Sequence, residues 1–168
     1  MKPVSRLYLD TNIFIQMFEG IGPVRDSLFD LFAACKPGLD SFLTTSELTF
    51  AETIIDPYRK KNEALIQLYD NWTMSNAILE VGPVDRDALY TAAVLRADNP
   101  GLKLPDAVHL ATAMLFRCSH FLTSDQRLKG AFRLAPMRYG VMRDIREIDI
   151  VRPDIATLAA LQMQAQQR

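Results

Sequence analysis

Cysteine is scarce in this sequence: Cys35 and Cys118 are the two examples among 168 residues. Two isolated cysteines provide neither the framework of a small disulfide-stapled protein nor the paired spacing of a zinc site. Histidine is equally scarce, with two residues, so a metal site built mainly from imidazoles is disfavoured as well. We therefore expect a protein that is stabilised by a hydrophobic core in a reducing compartment.

Long apolar runs are also missing. No uninterrupted stretch approaches the roughly 18 residues that span a membrane, and the first residues lack the apolar segment of a secretory signal. Hydrophobic residues make up 49% of the chain and charged residues 23%, which is the balance of an ordinary globular domain. We expect a cytoplasmic, membrane-independent protein in which residues 1–168 form one domain.

Net charge gives no overall reason to expect a nucleic-acid partner, because it is only −1. The charge is uneven, however, since residues 126–152 carry seven basic side chains against three acidic ones. The basic residues of this segment are Arg127, Lys129, Arg133, Arg138, Arg143, Arg146 and Arg152. They could contact phosphates or form an ordinary solvated surface, and the sequence favours neither interpretation.

Short apolar runs alternate with helical spacings along the chain. The runs predict strands at residues 4–9, 42–45, 77–81, 120–123 and 148–151, the last of them at a sheet edge. Apolar periodicity and capping residues predict helices at 13–18, 24–35, 46–56, 58–71, 85–98, 104–117 and 153–167. This alternation predicts an α/β fold, a three-layer sandwich with a central, mostly parallel sheet flanked by helices. Its core would span about 4–151, with a closing helix at about 153–167.

Four carboxylates stand where apolar segments end or turn, namely Asp10, Glu52, Asp106 and Asp125. Asp10 and Asp125 directly follow predicted strands, so they should share the carboxyl edge of the sheet. Glu52 and Asp106 join them only if their helices begin over that edge. Converging acids beside a core need hydrogen-bond donors, protons or a cation, and a divalent metal is the simplest solution.

Each acid also has a purely structural explanation. Asp10 and Asp125 could cap helices that follow them, and Asp106 could favour the first turn of its own helix. Glu52 could be an exposed helix residue. The spacing alone does not decide between these explanations and a metal site.

The segments around the acids resemble those of PIN-domain nucleases, particularly the VapC-type toxins of prokaryotic toxin–antitoxin pairs. The similar segments are Asp10-Thr11-Asn12, Ser-Glu-Leu-Thr-Phe-Ala-Glu at 46–52, Leu-Pro-Asp-Ala-Val-His-Leu-Ala-Thr-Ala at 104–113 and Leu-Thr-Ser-Asp at 122–125. They occur in this order, and the resemblance covers roughly Val4 to Val151.

This resemblance implies a parallel sheet flanked by helices and an endoribonuclease that uses Mg²⁺ or Mn²⁺. It implies a catalytic metal cluster of Asp10, Glu52 and Asp106, with Asp125 acting through water or on a second metal. It also implies supporting or phosphate-contacting roles for three polar residues, Thr11, Asn12 and Thr123. The implied partners are RNA, a cognate antitoxin protein and a second copy of the chain.

His109 lies one helical turn after Asp106 and should come within hydrogen-bond reach of it. A satisfied structural histidine is the main interpretation, and a general acid or base is the minor one. Two other functions remain open. One is a non-catalytic PIN-fold protein that binds nucleic acid or regulates. The other is a phosphotransfer enzyme with Asp10 as nucleophile, although Asn12 stands where such enzymes need a second acid.

Overall fold

A six-stranded sheet runs through the middle of the protein, which this computed structural model describes at residues 2–38, 40–135, 137–138, 141–142 and 144–167. The strands in the described residues are β1 (Leu7–Leu9), β2 (Leu43–Ser46), β3 (Leu79–Gly82), β4 (His120–Leu122), β5 (Ala131–Leu134), β6 (Met137–Arg138), β7 (Val141–Met142) and β8 (Arg146–Val151). The short strands β6 and β7 pair with each other, apart from the central sheet.

The sheet has the order β3-β2-β1-β4-β8-β5, and all neighbours are parallel except β5 and β8. The prediction of a mostly parallel sheet is confirmed. The prediction that the strand near 148–151 lies at an edge is wrong, because β5 pairs with it antiparallel, with Ala131 opposite Asp149. The residues of β5 do not form the apolar run that predicts a strand, since Ala131 and Arg133 are exposed and only Leu134 is buried.

Eight helices lie in the described residues. They are α1 (Thr11–Glu19), α2 (Pro23–Ala34), α3 (Glu47–Thr53), α4 (Ile55–Arg59), α5 (Glu63–Trp72), α6 (Arg86–Asp98), α7 (Leu104–Leu115) and α8 (Ile155–Gln166). The single helix predicted at 58–71 is wrong. Between α4 and α5 the backbone of Lys61 turns into the left-handed region at φ 54°, which ends a helix. Asn62 then begins α5, because its Oδ1 accepts from the amide of Leu65 at 3.2 Å.

Both faces of the sheet are covered, which makes the fold the three-layer sandwich that was predicted. Leu7 and Leu9 belong to a core cluster with residues of α1, α2 and α8. Tyr8, between them, belongs to a second cluster with residues of α6 and α7. Alternate strand residues point to opposite faces, so a strand such as β1, which is apolar or aromatic at every position, fits a sheet that is covered on both faces.

The parallel order brings several chain segments to one edge of the sheet. β1 and β4 are neighbours in register, with Leu9 beside Leu122, so the residues that follow each strand emerge together. α3 begins directly after β2, the other neighbour of β1. α7 packs against β2 and β8. No helix of the described residues is both long enough and apolar enough to cross a membrane.

Candidate active site

Asp10 lies at the end of β1 and caps α1. Its carboxylate is buried, with 8% of the residue exposed, and accepts three hydrogen bonds. Oδ1 accepts from the amide of Thr11 at 2.8 Å, while Oδ2 accepts from Asn12 Nδ2 at 2.5 Å and from Thr123 Oγ1 at 2.6 Å. These donors replace the water that burial removes, so a buried carboxylate is tolerated here.

Glu52 comes from α3 and is held by two donors on one oxygen. Oε2 accepts from Thr11 Oγ1 at 2.5 Å and lies 3.0 Å from Nε2 of His109. Burial works to raise the pKa of Glu52, but the hydrogen bonds from His109 and Thr11 outweigh it and leave the pKa below its usual range. Glu52 is therefore an ionised, half-buried acid rather than the exposed helix residue of the structural explanation.

His109 is a buried histidine of α7, with 2% of its surface exposed. Its Nδ1 lies 2.7 Å from the hydroxyl of Tyr8, and its Nε2 lies 3.2 Å from Thr11 Oγ1 in addition to the contact with Glu52. The sequence predicted Asp106 as its partner, but both ring nitrogens are engaged by these other residues. The ring is satisfied and enclosed, as the structural interpretation expected.

Asp125 follows β4 in a turn that leads into no helix, so the helix-cap explanation for this residue is wrong. Its Oδ1 accepts from the amide of Arg127 at 2.9 Å, and Nε of Arg127 lies 3.0 and 2.9 Å from Oδ1 and Oδ2. Nη2 of Arg127 also donates to Oδ2. These hydrogen bonds hold the pKa of Asp125 below its usual range.

Asp106 lies in the first turn of α7, as predicted, and is the least compensated of the four acids. Its nearest ion-pair partner is Nη2 of Arg127, 3.8 Å from Oδ2 and thus beyond hydrogen-bond distance. Burial raises the pKa of Asp106. The positive charge of Arg127 opposes this rise, and the negative charges of Asp125 and Asp10 add to it.

The four acids share one edge of the sheet and are connected by short polar bridges. Thr11 contacts both Asp10 and Glu52, and Arg127 contacts both Asp125 and Asp106. The structure thus brings together the residues that the sequence singled out. Even so, within the described ranges no three His, Cys, Asp or Glu side chains are arranged to hold a metal ion. Three of the acids, Asp10, Glu52 and Asp125, already accept hydrogen bonds from other residues of the chain.

Thr123 and Asn12 link the segment of Asp10 to the segment of Asp125 through hydrogen bonds. Thr123 Oγ1 is fully buried, donates to Asp10, and accepts from Asn12 Nδ2 at 2.9 Å and from the amide of Asp125 at 3.0 Å. Asn12 Oδ1 accepts from the amide of Ser124 at 2.8 Å. Thr11, Asn12 and Thr123 therefore each hydrogen-bond to one of the acids or to the loop that carries one.

Arg152 was missed as a site residue by the sequence analysis, which counted it as one of several basic residues. It follows β8 and donates from Nη1 to the carbonyls of Thr123 at 2.9 Å and Asp125 at 2.7 Å, and from Nη2 to that of Leu128. A planar guanidinium is suited to hold several carbonyls of one loop at once. Arg152 thus fixes the loop that presents Asp125 and Arg127.

The basic segment at 126–152 is less available to phosphates than its composition indicated. Arg127, Arg146 and Arg152 are engaged by acids or carbonyls of the chain itself. Lys129 and Arg133 are exposed. Arg143 and the side chain of Arg138 lie outside the described residues. Exposed Lys103 lies with Arg127 along a cleft beside Asp106, so some positive charge does border the acids.

The donor chemistry of the site fits a hard divalent cation. All four acids offer carboxylate oxygens, which suit Mg²⁺ and Mn²⁺. Both nitrogens of His109 are already engaged, and both cysteines are buried in the hydrophobic clusters. The negative charge at Asp106, which Arg127 offsets only in part, is the feature that a bound cation would compensate.

The model of the PIN domain family matches residues 7–132 of the chain, which is 126 of its 168 residues. The protein belongs to the PIN domain family, whose members are nucleases that generally use divalent metals.

Two solved structures share the fold. A toxin–antitoxin complex from Klebsiella pneumoniae matches with a TM-score of 0.53 and 26% identity, over 73% of this chain and 88% of that one. VapBC2 from Rickettsia felis, bound to a DNA fragment from its promoter, matches with a TM-score of 0.52 and 17% identity, over 72% and 89% of the two chains. No curated protein matches the chain.

Proposed function

We propose that the protein is an endoribonuclease dependent on Mg²⁺ or Mn²⁺ that cleaves RNA phosphodiester bonds as the toxin of a toxin–antitoxin pair. The observation that carries this proposal is the convergence of Asp10, Glu52, Asp106 and Asp125 at one edge of a PIN-family sheet. The similarity to a chain of the Klebsiella toxin–antitoxin complex supports the biological role.

Asp10, Glu52 and Asp106 are the residues that would hold the metal, with Asp125 acting through water or at a second ion. A divalent cation supplies two things to phosphodiester hydrolysis, an acidified water and relief of charge on the phosphate. The protein's own residues prepare the site. Thr11, Asn12 and Thr123 hold the carboxylates of Asp10 and Glu52 in place.

The proposal includes the partners that go with such a toxin. The substrate is RNA, the inhibitor is a cognate antitoxin protein, and the active form is a cytoplasmic homodimer. Light scattering of the purified chain tests the dimer, which a monomer mass at working concentration would contradict. An adjacent small reading frame that encodes a DNA-binding protein would supply the antitoxin.

Cleavage of labelled RNA by the purified chain tests the activity. Wild type should cut single-stranded or structured RNA with Mg²⁺ or Mn²⁺ and not with EDTA, and Asp10→Asn and Asp106→Asn should each abolish cutting. Asp30→Asn is the matched control, because Asp30 is an exposed acid of α2. Cleavage that survives in both site variants would refute the assignment.

A second candidate is a non-catalytic PIN-fold protein that binds nucleic acid or regulates. One observation favours it: no metal-ready group of three acids occurs in the described residues, and Arg127 already supplies a positive charge to two of the acids. This candidate predicts that RNA binds without being cut at any concentration of Mn²⁺. Turnover by wild type that is lost in Asp10→Asn would exclude it.

A further inference from the structure

A chain of polar contacts runs from the interior of the protein to the acidic edge. It begins at the hydroxyl of Tyr8 on β1, passes through the ring of His109 on α7, and ends at Oε2 of Glu52 on α3. Tyr8 is fully buried and His109 is 2% exposed, whereas the side chain of Glu52 is 30% exposed. Of the three residues in this chain of contacts, only Glu52 is exposed to solvent, and Glu52 is a residue of the candidate site.

The direction of the hydrogen bonds follows from what each group can donate. An ionised carboxylate can only accept, so the 3.0 Å contact requires a hydrogen on Nε2 of His109. In the neutral ring Nδ1 then accepts, and the Tyr8 hydroxyl at 2.7 Å is its donor. Tyr8 thereby fixes the tautomer that presents Nε2–H to Glu52.

The surroundings do not explain this chain as ordinary packing. Tyr8 belongs to the second core cluster, where its ring stacks on Phe121 with centroids 4.9 Å apart, and the ring of His109 meets that of Tyr8 edge to face at 5.9 Å. Apolar side chains of similar size would fill that space without needing hydrogen-bond partners. Both buried polar groups are instead satisfied in series, and the series ends on an acid of the site.

The geometry at Glu52 shows what the series achieves. His109 and Thr11 both contact Oε2, so neither of these bonds uses Oε1. One oxygen thus contacts two neighbouring donors, which restricts the rotation of the carboxylate. We propose that Tyr8 and His109 are positioning residues that lock Glu52 by Oε2, leaving Oε1 as the oxygen presented to the divalent cation. This inference depends on the proposed metal-dependent function and deepens it.

A matched set of variants separates positioning from packing. His109→Gln keeps an N–H donor near the place of Nε2, whereas His109→Leu keeps the volume and removes the donor. Tyr8→Phe removes the hydroxyl alone. Mn²⁺ affinity of the metal-free full chain is measured by calorimetry, with the fold of each variant checked by circular dichroism and RNA cleavage as a second readout.

We expect His109→Leu to weaken Mn²⁺ binding roughly 10–100-fold, as loss of a residue that orients a metal ligand does. His109→Gln should stay within about 3-fold of wild type, and Tyr8→Phe should fall between them. In cleavage at saturating Mn²⁺ the loss should appear in kcat more than in KM, because the proposal assigns Glu52 to the metal and not to the RNA. If His109→Leu fails to fold, Tyr8→Phe against His109→Gln makes the same comparison.

Several results would overturn the inference. Equal losses in the Leu and Gln variants would mean that the shape of the ring matters and its donor does not. Wild-type affinity in His109→Leu and Tyr8→Phe, alongside lost binding in Asp10→Asn, would remove the positioning role and keep the metal site. Absence of Mn²⁺ binding by wild type would overturn this inference together with the proposed metal dependence.

Discussion

Arg127 and Asp125 form a guanidinium–carboxylate pair at the point where the acids converge. Nε of Arg127 lies 3.0 and 2.9 Å from the two oxygens of Asp125, and Nη2 reaches toward Asp106 at 3.8 Å. The chain thus carries its own cation at the acidic edge. This cation and a divalent metal are attracted by the same negative charge.

Removing the positive charge of Arg127 should strengthen metal binding. In Arg127→Gln the negative charge of Asp125 and Asp106 is no longer offset, so Mn²⁺ affinity should rise roughly 3–10-fold, the scale of a partly exposed ion pair. Calorimetry on the metal-free protein measures it. Arg117→Gln is the control, because Arg117 follows the other end of α7 from Asp106. Unchanged or weaker binding in Arg127→Gln would show that Arg127 does not compete with the metal.

Asp106→Asn should be stabilised at neutral pH in the metal-free protein. Because the folded pKa of Asp106 is raised, its ionisation costs stability above that pKa, and the cost disappears as the pH falls and the acid becomes protonated. The difference in melting temperature, Asn variant minus wild type, should be roughly 1–3 °C larger at about pH 7.5 than at about pH 4. Scanning calorimetry at both values, with Asp30→Asn as the control, measures this. A difference that grows on acidification would contradict the sign.

Thr123→Val should destabilise the fold although the two side chains have nearly the same shape. The hydroxyl donates to Asp10 and accepts from the amide of Asp125, and both groups lose a partner where Thr123 is fully buried. The loss should be about 1–3 kcal/mol in urea denaturation. Thr123→Ser keeps the hydroxyl and should lose less than the Val variant. A loss in Thr123→Ser as large as that in Thr123→Val would show that the hydrogen bonds of the hydroxyl do not account for the stability at this position.

Arg152→Met should loosen the loop that carries Asp125. Three carbonyls lose their common donor, and the backbone bond from Leu128 N to Asp125 O, 3.2 Å long, should open more often. Amide exchange of Leu128 should accelerate roughly 10-fold or more, in line with loss of about 1–3 kcal/mol. Arg133→Met, an exposed arginine of β5, is the control. An unchanged exchange rate at Leu128 would mean that the turn is stable without the hydrogen bonds from Arg152.

The sheet and most helices could be predicted because their signals are local. Buried strands read as apolar runs, and Ser46, Asp85 and Asp154 cap α3, α6 and α8 as their side chains predict. The failures involve non-local choices. The amphipathic pattern at 58–71 does not predict that Lys61 adopts a left-handed backbone conformation. Strand β5 is stabilised by pairing with β8, which its mostly polar sequence does not reveal.

The acids of the site could be predicted, whereas the groups that hold them were only partly predicted. Asp10 and Asp125 follow apolar runs, so strand order alone predicts that they share an edge. The link from His109 to Glu52 joins positions 57 residues apart and depends on how α3 and α7 meet. A tyrosine inside a buried strand was the one available signal, since the hydroxyl of Tyr8 needs a partner there.

Anomalous diffraction from crystals soaked in Mn²⁺ tests most directly whether the acidic edge binds a cation. The account predicts a manganese peak within about 2.5 Å of carboxylate oxygens of Asp10 and Asp106, with Oε1 of Glu52 facing it directly or through one water. The same peak should be absent from crystals of Asp10→Asn. Wild-type crystals soaked to saturation that show no manganese peak at this edge, or that bind manganese only elsewhere, would contradict the account.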